Sequence, residues 1–176
     1  MKEERKLGEG HFGIVTRNCI FLKNEKELNV AVKKVKIKKP NDEKKLEEFD
    51  LEVAKKQAKK EMEIELNFMH YLNAKSNELK CYTGSIIRML ASTTDRTMMV
   101  LELCTIGCAK TLRNILLDQH KCIPEKEIVN FGTQIMKACE FLCQIGVAHN
   151  DWACRNVLVS KGGIYIYKVL LFILES

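Results

Sequence analysis

Gly8, Gly10 and Gly13, spaced G-x-G-x-x-G near the start of the 176-residue chain, constrain the fold more than any other feature. Glycines at this spacing let backbone N–H groups approach phosphate oxygens closely, where a Cβ would clash. The same pattern serves dinucleotide-binding turns, but those need a strand before the glycines and a helix opening at them. Only seven residues precede Gly8, and Ile14-Val15-Thr16-Arg17-Asn18-Cys19-Ile20-Phe21 after the motif is β-prone. The glycines therefore read as the lid of a β-hairpin.

A second constraint lies far along the chain. From Pro124 to Ile145, Ile128, Phe131, Ile135, Ala138, Phe141 and Leu142 recur at intervals of mostly three and four, the period of an amphipathic helix. Pro124 and Glu125 suit its start and Gly146 its stop. Soon after comes His149-Asn150-Asp151-Trp152-Ala153-Cys154-Arg155-Asn156. An Asp and an Asn five apart usually sit in a solvated turn. Here the whole run resembles the catalytic loop of protein kinases, H-R-D-L-x-x-x-N, and Leu7 to Val15 resembles their glycine-rich loop.

That resemblance assigns roles. Asp151 would take the substrate hydroxyl's proton, and Asn156 would hold a magnesium ion. Asn29-Val30-Ala31-Val32-Lys33-Lys34-Val35 resembles the V-A-I-K strand, which makes Lys33 the lysine on the α/β phosphates of ATP. Its partner would be a glutamate on the long charged helix read from Glu43 to Leu72. Glu65 is the first choice, because Met69 follows four residues later on the same face; Glu61, one turn earlier, is the alternative. Ser85 to Ala91 and Thr97 to Cys104 resemble the next two strands. Leu101 is then the gatekeeper, and the backbone of Glu102 and Cys104 would bond adenine. ATP would lie against Gly8, Gly10, Gly13, Val15 and Ala31 above and Leu158 below.

Subgroup and departures are also legible. Serine/threonine kinases usually carry a Lys two residues after the catalytic Asp, whereas tyrosine kinases carry A-A-R. This chain has Ala153-Cys154-Arg155, so it resembles a tyrosine kinase with Asp151, Arg155, Lys33 and Glu65 as its catalytic set. Asn150 replaces an Arg that pairs with a phosphorylated activation loop, a contact no Asn can make bidentately. Trp152 replaces a Leu and needs room for a larger ring. The family's D-F-G aspartate is due near position 169, yet Lys168-Val169-Leu170-Leu171-Phe172 stands there and no Asp follows Asp151.

The fold expected is α+β: a small lobe over residues 1–103, with a five-stranded antiparallel sheet and one long helix, then a partial helical lobe. Residues 104–163 would be the hinge and the start of the large lobe. Residues 164–176 read as a divergent apolar tail, too short to span a bilayer, whose removal from Ile164 onward should leave the rest at least as soluble and as stable. Residues 1–176 are thus expected to be an incomplete tyrosine kinase domain, using ATP and magnesium and acting on protein tyrosine, with activity lost. The alternative is a pseudokinase module that binds nucleotide or a protein partner. Apolar surface under the helix from Glu125 to Ile145 would invite such a partner.

Composition excludes other classes. The net charge of +6 arises mostly between Lys33 and Lys60, where acids alternate with lysines and no aromatics interleave, so a solvated face is expected rather than nucleic-acid binding. The eight cysteines show no C-x-x-C or completing histidine spacing, which points to reduced, mostly buried thiols. No secretory segment opens the chain. A cytoplasmic location, or the cytoplasmic part of a receptor kinase, is expected.

Overall fold

Apolar and β-branched residues alternating along Val30, Val32, Met99 and Leu101 build the first sheet. The structure, a computed structural model, describes residues 5–9, 13–21, 23, 26–37, 50–79, 84–162 and 164–169. The chain divides into two units, Met1–His70 with Met89–Glu102, and Tyr71–Arg88 with Leu103–Ser176.

The first unit holds β1 (Arg5–Glu9), β2 (Gly13–Phe21), β3 (Glu27–Val35), β4 (Met89–Ser92) and β5 (Met98–Glu102). They form one antiparallel five-stranded sheet in the order β1-β2-β3-β5-β4. Helix α1 (Leu51–Glu78) contributes Ala58, Met62, Leu66 and Met69 to the core. These recur at three and four, so one stripe is buried while the lysines between them stay in water. The Asp50 carboxylate accepts from the N–H groups of Glu52 (2.8 Å) and Val53 (3.2 Å), capping the helix. Asp50→Ala is expected to cost about 1 kcal/mol, seen as a lower urea midpoint at unchanged slope.

The helix differs from its sequence reading at one end. It continues six residues past Leu72 to Glu78, because no glycine or proline interrupts Asn73 to Glu78 and Lys75 pairs with Glu78 at 2.6 Å. The expected start, Glu43 to Phe49, lies outside the described residues. The fourth strand is also shorter than expected. Only Met89–Ser92 joins the sheet, while Ile86 bridges Val169 in parallel.

The second unit contains β6 (Gly107–Cys108), β7 (Val157–Gly162) and β8 (Ile164–Val169) in one antiparallel sheet of that order. With them are α2 (Ala109–Asp118), α3 (Glu125–Gln144) and a 3-10 turn, Cys154–Asn156. Leu112, Val157, Val159 and Tyr167 form its core with Phe131 and Ile135 against them. Gly146 stops α3 at φ +71°, its N–H bonded to Cys143 O at 3.0 Å, a left-handed exit that favours glycine.

Residues 164–169 are therefore not a divergent tail. They pair with β7 from Gly162↔Ile164 to Val157↔Val169. Tyr167 and Val169 are buried. The Tyr167 ring meets Phe131 edge-on at 4.9 Å, and its N–H donates to Gln134 Oε1 at 2.9 Å. Lys168 Nζ donates to Gly84 O at 2.9 Å, Val169 N to Ser85 O at 2.7 Å and Ile87 N to Val169 O at 3.1 Å. Since β8 meets α3 at Phe131 and Gln134, the first turn of α3 stays uncovered among the described residues. Ile128, expected in the core, is exposed along with Val129 and Met136. The thiols also depart from expectation: Cys104 is buried, whereas Cys122, Cys139, Cys143 and Cys154 are exposed. Among the described residues, no helix is long and apolar enough to cross a membrane.

Candidate active site

In the first unit the chemistry centres on Lys33. It lies on β3, the middle strand of the sheet, opposite Val15 on β2 and Met99 on β5. Its stem passes Gly13, where an added Cβ would sit 2.6 Å from Lys34 O and 3.2 Å from Lys33 Cε. Glycine is thus required there by the close approach of β3. Lys33 Nζ reaches both Glu65 oxygens at 2.5 Å, with the side chains 6% and 10% exposed. The one-turn choice on α1 falls on Glu65. Glu61 is half-buried and accepts from Gln57 Nε2 at 3.2 Å instead.

Other residues of this unit surround the same strand. Gly8 stands at a bulge in the β1–β2 register, and open space surrounds the place a Cβ would take. Gly10 lies outside the described residues. Ala31 is buried opposite Leu101, and Val30 faces Glu102. Sequence reasoning missed Glu9, whose carboxylate is bridged by Lys6 and Lys36. The hydrogen bond from Lys36, then that from Lys6, holds it down to about 2. The three-residue spacing of Lys6 and Glu9 was its only local signal; Lys36 arrives through the fold.

In the second unit the chemistry centres on Asp151. Asn150 has φ +57°, a left-handed conformation that Asn tolerates better than most residues. This turns the chain so that Asp151 N bonds His149 O at 2.8 Å and His149 Nδ1 at 3.2 Å. Arg155 Nη2 donates to the Asp151 oxygens at 2.6 and 2.8 Å. Asn156, almost fully buried, donates through Nδ2 to Asp151 Oδ2 at 2.7 Å and to Asp151 O at 3.0 Å. The Asn156 bond first, and then Arg155, hold the Asp151 carboxyl below its ordinary value. It is anionic at neutral pH. Trp152 finds its room outside: it is 46% exposed and stacks on His149 at 4.4 Å. In the same unit Cys104 is buried and Leu158, on β7, is half-buried.

These residues fit a nucleotide better than a magnesium ion. Lys33 offers an oriented cation and Gly8 an open backbone. For metal, the Asn156 nitrogen is committed to Asp151, so its carbonyl oxygen is the ligand atom left. Val169, where a second carboxylate was due, is apolar and buried. Among the described residues no group of three or more His, Cys, Asp or Glu could hold a metal.

The sequence profile of the protein tyrosine and serine/threonine kinases matches residues 1–169. The chain belongs to that protein kinase family. It is 33% identical over 157 residues to cell division control protein 7 of Schizosaccharomyces pombe, covering 89% of this chain and 12% of that protein. It is 29% identical over 157 residues to tyrosine-protein kinase sid-3 of Caenorhabditis elegans, covering 88% of this chain and 10% of that one. The chain thus spans about a tenth of the length of these relatives. The match to residue 169 takes in β8, as does the pairing of that strand.

Proposed function

We propose that this chain is the nucleotide-binding portion of a tyrosine-type protein kinase, and that these 176 residues bind ATP but transfer its γ-phosphoryl group weakly or not at all. The buried Lys33–Glu65 pair carries the reading. Sheet and helix hold an ammonium in one place, which is what a polyphosphate needs from a protein. Residues 1–103 are the small lobe in this reading. Residues 104–169 supply the hinge and the beginning of the large lobe, on the cytoplasmic side of any membrane to which a larger protein is anchored.

Ala153-Cys154-Arg155 supports tyrosine over serine or threonine, with Arg155 seated on Asp151. A tyrosine hydroxyl would donate its hydrogen bond to Asp151. Its oxygen would attack the γ-phosphorus in line, ADP would leave, and the proton would pass to the carboxylate. Because Asp151 is held below its ordinary value, it is a weak base. It serves mainly to orient the hydroxyl. Magnesium, when bound, neutralises charge on the phosphates; Asn156 is the one ligand that the matched motif keeps. Without the D-F-G aspartate as a second ligand, positioning and electrostatics fail together.

The expected result is a thermal shift with ATP that changes little when magnesium is withdrawn, and no label transfer from ATP to a tyrosine polymer. A strict magnesium requirement, or transfer abolished by Asp151→Asn, would sink the weak-transfer reading. Exposed Ile128, Val129 and Met136 on α3 favour a second reading, a module that binds a protein partner through this face.

A further inference from the structure

Trp152 is the part of the catalytic loop that the proposed chemistry leaves unused. It adjoins Asp151, nearly half of its surface is in water, and its indole is fixed by stacking on His149, interplanar angle 28°. His149 is itself buried, so the ring is held from below. An indole kept rigid and exposed beside a carboxylate is a stacking surface prepared in advance, since no further side-chain ordering is needed on contact. Arg155, paired with the Asp151 carboxylate, has 65% of its side chain exposed.

A flat apolar face, an anionic acceptor and an exposed cation thus lie within four residues. We infer that Trp152 is a specificity-determining residue that takes the phenol ring of a peptide tyrosine, with the phenol hydroxyl on Asp151 and Arg155 toward the peptide's carbonyl or acidic groups. This rests on the tyrosine reading above. A serine or threonine side chain has a hydroxyl for Asp151 but no ring for the indole. Offset or edge-on contact between two aromatic rings would separate the substrates by roughly two- to tenfold in affinity.

Trp152 is the one tryptophan in the chain, so its emission reports on this position directly. Titrating the full chain with a short acidic peptide carrying one tyrosine should shift that emission, and the same peptide with serine instead should not. By calorimetry, Trp152→Leu should weaken the tyrosine peptide roughly two- to tenfold and leave the serine peptide unchanged, while Trp152→Phe keeps most of the affinity. Melting curves check that both variants fold; the exposed position favours this. Equal affinity for wild type and Trp152→Leu, or binding without an emission change, overturns the assignment. So does a lack of peptide binding. ATP binding measured in the same samples separates the two readings: peptide failure with ATP binding intact removes only the role of Trp152, whereas loss of ATP binding removes the nucleotide reading itself.

Discussion

Lys33→Met alone should destabilise the first unit by about 3–5 kcal/mol. The reason is what it leaves behind. Glu65 is 8% exposed and has both oxygens on Lys33. Without the ammonium it is a buried carboxylate with its pairing removed, which costs far more than the pair contributes net. The second substitution is therefore the informative one. Lys33→Met with Glu65→Leu removes both buried charges together and should recover most of the loss. Denaturant melts of the two singles and the double measure the coupling. Nucleotide binding should vanish in all three, since a stable apolar replacement still lacks the cation. A Lys33→Met variant as stable as wild type would mean that water reaches Glu65 and that the pair is not a buried one.

Ending the chain after Gly163 should unfold the second unit or lower its melting temperature sharply, the reverse of what the sequence suggests. The cut removes β8. With it go Tyr167 and Val169 from the core, worth about 1.5–3 kcal/mol each as buried apolar side chains. It also leaves the carbonyl of buried Ser85 and the N–H of buried Ile87 without the partners that Val169 supplies, and buried groups so orphaned cost about 1–3 kcal/mol each. Domains are stable by only about 5–15 kcal/mol, so the sum is decisive. Tyr167→Ala is the graded version and should cost about 3–5 kcal/mol by opening a hole against Phe131. Far-UV melts of both variants provide the check. An unchanged melting temperature after the cut would return residues 164–169 to the status of a dispensable tail.

The tail was misread for a reason that recurs elsewhere in the chain. Ile164-Tyr165-Ile166-Tyr167-Lys168-Val169 is β-prone on its face, but nothing local says which strand it joins. Its pairing with β7 is a hairpin between neighbours, but its edge contact with Ser85 to Ile87 joins residues some eighty positions apart. The Ser85–Ile87 segment was assigned to the neighbouring strand by the same failure, since an apolar run does not name its partner. The helix extension beyond Leu72 differs: the absence of Gly and Pro through Glu78 was visible and underweighted. Trp152 and Asn150 sit between these cases. Their departure from the family pattern was plain, but the left-handed turn at Asn150 and the stacking of Trp152 on His149 arise only in the folded loop.

Residue types and spacings were enough for the protein kinase family, the α+β class, the strand that carries Lys33 and α3 as the helix before His149–Asn156. Each of these is written in a short window where periodicity or a steric demand acts within a few residues. Three matters were decided only by the fold: that Glu65 and not Glu61 meets Lys33, that Arg155 and Asn156 both close on Asp151, and that β8 completes a core. Each is a meeting of groups brought together by packing. On α1 the apolar Met69 favours Glu65 over Glu61 a turn earlier, but only a sheet laid against one side decides between them, and burial selects the one whose charge is matched.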